Sequence, residues 1–166
     1  MALHGFLQGF QSYADTQALG AALKALQEEG LDQLPLPGSG QTLTRFSRLA
    51  QVAGHDLRLC KLFEGHTDAL AIIAELQSPL PPLGSTWGMW AAEPPTAKVR
   101  VHQEGQRLRV QGRKAWCSGA AVVSHGLLTA WDEEDRQQLV AVHMAQPGIT
   151  VTDEGWNAVG MAATGS

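Results

Sequence analysis

Two short stretches hold the residues best suited to chemistry: Trp87-Gly-Met-Trp-Ala-Ala-Glu-Pro-Pro95 and Gly112-Arg-Lys-Ala-Trp-Cys-Ser-Gly-Ala120. Each sets large aromatics among small residues. Rings beside Ala, Gly and Ser suit a flat heteroaromatic ligand, which needs stacking on one face and close backbone approach at an edge. A flavin has those requirements. Alternating apolar and polar residues predict strands over 98–103 and 107–111, joined at Glu104-Gly105. That hairpin would fold the two stretches side by side.

Other motifs carry less. Gly38-Ser-Gly40 lacks the third glycine of a dinucleotide fingerprint, and no strand precedes it. The segment from Gly160 to Ser166 has the glycine spacing of a phosphate loop but Ser where the Lys belongs. The six histidines show no metal-ligand spacing, so no metal is expected. Glu64 and His66 point different ways on a predicted helix, and His102 and His143 read as surface strand residues. Ser118-Gly-Ala is not a nucleophile elbow. Cys117 reads as a small hydrophobe, because no base stands near it in sequence. Trp90, Trp116 and Trp156 also admit a plainer reading as sheet-core aromatics.

Helices fill the first half. Leu19, Ala22, Leu23 and Leu26 form one face over 14–29. Leu43, Phe46, Ala50 and Ala53 do the same over 42–53, with Gly54-His55 as the break. Asp56 caps a third helix running to about residue 77, with Gly65 its weak point. Ser78-Pro-Leu-Pro-Pro82 stops helix and marks a change of architecture. After it come the two strands above, two more over 122–131 and 138–143 around the charged tip 132–136, and a short fifth over 148–151. Helices followed by strands predict an α+β fold.

The 166 residues suffice for one large domain or two small ones. Apolar residues make up 44% and charged residues 17%, ordinary for a globular chain. The net charge of −4 and the lack of a basic cluster exclude a nucleic-acid partner. No apolar run approaches the ~18 residues of a membrane span, and no secretory signal opens the chain. A cytoplasmic protein with reduced Cys60 and Cys117 is expected.

Five segments in order resemble the acyl-CoA dehydrogenase family of flavoproteins, from about Leu19 to the last residue. They are Glu29-Gly-Leu-x-x-Leu-Pro-Leu-Pro37, the helix from His55-Asp56 through His66, Ala92-Glu93-Pro94, Gly112-x-Lys114-x-Trp116-Cys-Ser118 and Gly160-Met-Ala-Ala-Thr164. The resemblance implies an N-terminal helical domain (1–80) followed by an incomplete antiparallel β-barrel domain (81–166). By the resemblance, the chain is expected to be a fragment without the family's C-terminal helical bundle. The resemblance implies FAD as cofactor, held by Trp90, Ala91, Ala92, Trp116, Cys117 and Ser118. Trp116 matches the Trp that packs on the isoalloxazine, and Ser118 the Thr beside flavin N5. Ala92 stands for the Thr of Thr-Glu-Pro, so only its backbone N–H serves. Thr96-Ala97-Lys98 replaces the usual Ala-Gly-Ser-Asp.

By the same resemblance the intact enzyme oxidises CH–CH groups of acyl thioesters. It would be a homo-oligomer working with acyl-CoA and an electron-transfer partner or flavin reductase. The catalytic base would lie beyond Ser166, Glu93 being structural. A flavin-dependent monooxygenase on the same scaffold is the alternative, since such enzymes keep an aromatic-x-Ser-Gly segment like Trp116-Cys117-Ser118-Gly119. A non-enzymatic remnant is the third reading. An incomplete β-domain also predicts an unpaired sheet edge that weakens the fold.

Overall fold

A computed structural model describes residues 3–10, 12–157 and 159–165. Ser166, the last residue of the glycine-spaced segment, lies outside them. Helix α1 (Leu3–Leu7), not anticipated from sequence, precedes α2 (Thr16–Glu28), α3 (Thr42–His55) and α4 (Leu57–Glu75). Asp15 caps α2 by accepting the Ala18 N–H at 2.9 Å. Asp56 alone separates α3 from α4 and caps the latter, accepting the Arg58 and Leu59 N–H groups at 2.7 and 3.1 Å. α4 runs unbroken through Gly65, and α3 continues through Gly54 to His55.

The buried face of α3 differs from the expected one. Leu43 is 79% and Phe46 60% exposed, whereas Arg45 and Val52 are buried. Arg45 is buried because its guanidinium is satisfied. It donates to the carbonyls of Pro35 and Thr67 at 3.3 and 3.4 Å and pairs with Asp68 at 3.2 Å. The seam against α4 is therefore Arg45, Leu49 and Val52, at positions i, i+4 and i+7.

The second half forms one five-stranded sheet: β1 (Trp87–Trp90), β2 (Val99–Glu104), β3 (Arg107–Gly112), β4 (His125–Trp131) and β5 (Gln137–His143). As expected, β2–β3 and β4–β5 are antiparallel pairs, and the barrel is incomplete. The sheet is mixed rather than wholly antiparallel, because β1 and β2 run parallel to β4. The long connection from Gly112 to Ser124 crosses over and brings β4 back in the direction of β1. Residues 148–151 form no strand. Pro147, just ahead of them, has no N–H for a ladder. All of β3 is exposed.

The main core draws on both layers. Leu19, Leu23, Leu59 and Phe63 from the helices meet Trp90, Val99, Leu128 and Ala130 from the sheet. A smaller cluster, with Ala69, Ile73, Trp87 and Leu127, seals α4 onto the other sheet face.

Candidate functional site

Trp90 closes β1 and lies flat across the adjoining strand. A Cβ on Gly88 or Gly126 would overlap its indole, so two glycines, one on each strand, make room for one ring. The ring is buried, and its Nε1–H donates to the Ser118 carbonyl at 3.1 Å. That bond joins the two aromatic stretches. Gly112 lets the chain leave β3 with φ +133, where a side chain would overlap the Lys98 carbonyl.

A polar clamp fixes the rest of both stretches. Glu93 accepts the Trp131 Nε1–H at 2.8 Å and pairs with Lys114 Nζ at 3.2 Å. Lys114 also donates to the Thr129 hydroxyl at 2.7 Å and carbonyl at 3.1 Å. The Thr129 hydroxyl in turn donates to the Ala91 carbonyl at 3.0 Å. Among the described residues, no buried side-chain donor or acceptor lacks a partner. Cys117 is free, as expected, and so is Cys60. Burial pushes the Cys117 thiol up to about 11, with the Lys114 charge opposing it weakly. That is a packing residue, not a nucleophile.

Trp116 is different. It sits at φ +60, a left-handed conformation that bulky residues rarely adopt, and its surface is 52% exposed. Beside it opens a cavity of about 710 Å³, bordered by Trp90, Trp116, Cys117, Val110, Arg109 and Arg113. Of the six residues singled out from sequence, Trp90, Trp116 and Cys117 line this cavity. Ser118 is buried just behind, and Ala91 and Ala92 are exposed in the loop after β1. Trp156 is half-buried, and its Nε1–H donates to the Met161 carbonyl at 3.1 Å. The last resembling segment arrives at the same place: the Gly119 N–H donates to the Thr164 carbonyl at 2.7 Å.

A second buried relay positions β1. His66 is fully buried. Its Nδ1 accepts the Trp87 backbone N–H at 3.1 Å, so its Nε2–H donates to the Asp32 carboxylate at 2.9 Å. Sequence reasoning singled out Lys114, Glu93 and His66 only as motif letters. The clamp partners Thr129 and Trp131 gave no signal, because they lie in a strand read only for its apolar alternation.

No protein-family profile matches the sequence, and no curated protein does. Solved structures do match. Methanesulfinate monooxygenase MsuC from Pseudomonas fluorescens is similar over 98% of this chain and 47% of its own, at 19% identity and TM-score 0.70. Indole-bound TdsC from Paenibacillus sp. A11-2 is similar over 98% and 47%, at 21% identity and TM-score 0.76; an FMN-bound structure of TdsC is similar too. A steroid ACAD variant, Tcur3481-Tcur3483 G363A, is similar over 90% and 49%, at 18% identity and TM-score 0.57. The fold is that of the acyl-CoA dehydrogenases. The chain spans about half the length of these structures. Among the described residues, no helix is long and apolar enough to cross a membrane.

Proposed function

We propose that this chain presents one wall of a flavin site in an oxidoreductase. Trp116 carries the reading: an exposed, strained aromatic at the mouth of a cavity whose inner wall is Trp90 and Cys117. A strained backbone in a bulky residue points to a role other than packing. The cavity volume falls in the range of small-molecule sites. Among the described residues, the backbone N–H of Cys117, which lines the cavity, has no protein acceptor, which leaves it for a ring edge. Arg109 and Arg113 border the cavity, paired with the exposed Glu104 and Glu154 at 3.4 and 3.6 Å; their guanidinium forks suit a phosphate tail that displaces those carboxylates. A bound flavin would supply the electron and hydride chemistry, with this chain supplying the stacking surface and the donors. FAD is the form the resembling segments favour. The slot's other wall would come from a helical bundle or a second copy of the chain.

Two reactions fit this scaffold. Dehydrogenation of an acyl thioester CH–CH bond needs an oriented carboxylate base. Glu93 does not serve, because both its oxygens are taken by Lys114 and Trp131. Oxygenation by a reduced flavin asks for no such base here, and MsuC is a monooxygenase. We therefore favour a flavin-dependent monooxygenase supplied by a flavin reductase. The dehydrogenase acting on acyl-CoA remains the second reading, and needs its base from other residues.

Titration of the purified chain with FAD and FMN, followed by tryptophan quenching, tests the site. Saturable binding that weakens at least ten-fold in Trp116→Ala is expected. Failure of both flavins to bind would overturn the reading. Anaerobic reduction of the bound flavin by an acyl-CoA thioester would move the assignment to the dehydrogenase.

A further inference from the structure

On the sheet face opposite Trp90, two histidines face each other on neighbouring strands. His125 and His143 are register partners of β4 and β5. The His125 backbone N–H donates to the Thr86 carbonyl at 2.9 Å, on the β1 side, so it is not turned toward β5. The pair is therefore of the non-hydrogen-bonded kind, in which opposing side chains approach closest. Their ring centroids are 4.9 Å apart at an interplanar angle of 68°. Two imidazoles on one tetrahedral ion, with metal–nitrogen bonds of ~2.0–2.1 Å, place their ring centres about 5 Å apart.

The surroundings orient His125. Trp87 stacks on its ring at 4.7 Å and 23°, fixing the plane. The Ser124 hydroxyl accepts the Thr86 N–H and donates to the Thr86 carbonyl, each at 2.9 Å. With that hydroxyl proton spent, Ser124 Oγ takes the Nδ1–H of His125 at 2.9 Å. Nε2 of His125 is left with a free lone pair, held as metal-binding imidazoles are held by their outer hydrogen bond. The remaining histidines are otherwise engaged: His4 with Gln8, His55 with Tyr13, His66 with Asp32 and His102 with Glu133.

We propose that His125 and His143 form a two-imidazole site for a divalent transition metal ion of the zinc, nickel or copper class. Among the described residues, no third His, Cys, Asp or Glu completes a cluster. The ion therefore keeps open positions for water or an outside ligand. His125 also borders an apolar cavity of about 390 Å³, with Trp87, Leu127, Leu139 and the Pro79–Pro82 segment. An exchangeable ligand on the metal would enter from that side. Imidazole nitrogen donors suit these borderline ions better than calcium or magnesium.

Calorimetric titration of the purified chain with zinc chloride tests the site. One ion per chain is expected, with nitrogen shifts of the His125 and His143 rings in imidazole-detected NMR. His143→Gln, at an exposed position where the fold is not at stake, lowers affinity at least ten-fold. Ser124→Ala lowers it about ten-fold through loss of the orienting bond. His102→Gln leaves it unchanged. Zinc at ten times its half-saturating concentration raises the Tm by about 3–6 °C. Absence of uptake, or affinity unchanged in His143→Gln, or affinity lost instead in His102→Gln, overturns the proposal.

Discussion

Trp90 and Trp116 sit in neighbouring segments of the same site and meet opposite fates. Trp90 is buried, spans two glycines and spends its N–H on Ser118. Trp116 is half in solvent, on a strained backbone, with no such bond among the described residues. One ring holds the wall together, and the other is held out from it. The contrast separates what the fold needs from what a ligand would use: side chains satisfied on every side stabilise, whereas a large apolar ring kept exposed at a backbone cost is available.

Substitutions can break that contrast. Trp90→Ala removes the largest buried ring of the wall and is expected to cost about 3–5 kcal/mol. Urea unfolding measures it, and a loss below about 1 kcal/mol would mean the ring is not the keystone described. Next comes the clamp. Lys114→Met leaves the Glu93 carboxylate without its partner and is expected to cost about 3 kcal/mol. Adding Glu93→Gln recovers much of it, a coupling that a double-mutant cycle reads directly. Trp116→Gly is expected to do the reverse of Trp90→Ala. Relief of the left-handed backbone leaves stability unchanged or raises it by about 1 kcal/mol, while flavin affinity drops at least ten-fold.

The smallest effect concerns Tyr13, whose hydroxyl meets His55 Nε2 at 3.1 Å. Burial and the Asp56 charge, opposed by Arg58, push its pKa up to about 12 from 10.0. A raised folded pKa means the native state keeps the proton longer, so this contribution is complete below pH 10 and falls away between pH 10 and about 12. Tyr13→Phe should flatten that stretch of the stability profile.

The helices and hairpins could be read from the chain because their signals are local. Asp56 announces a cap, and Val99, Val101, Leu108 and Val110 announce a hairpin face. The covered side of α3 could not. Both its stripes are spaced for a helix, and the choice rests on carbonyls of Pro35 and Thr67 that Arg45 reaches across the fold. β1 was obscure for a related reason. Its four residues pair in parallel with a strand beginning at His125, and no short-range pattern encodes that partner. At the site, the aromatic and small residues stood out by type. The clamp that aligns them did not, since Thr129 and Trp131 acquire their roles only through sheet register.

The imidazole of His66 also bears on how the polypeptide comes together. Its two partners are separated in sequence by more than fifty positions, with Asp32 before the third helix and Trp87 after the Pro-rich break. During synthesis, Asp32 and His66 emerge first and can pair, but the ring nitrogen facing the future strand stays without its donor until Trp87 arrives. The helical layer is thus expected to settle late, together with the first strand, and its amides should gain exchange protection in the same step.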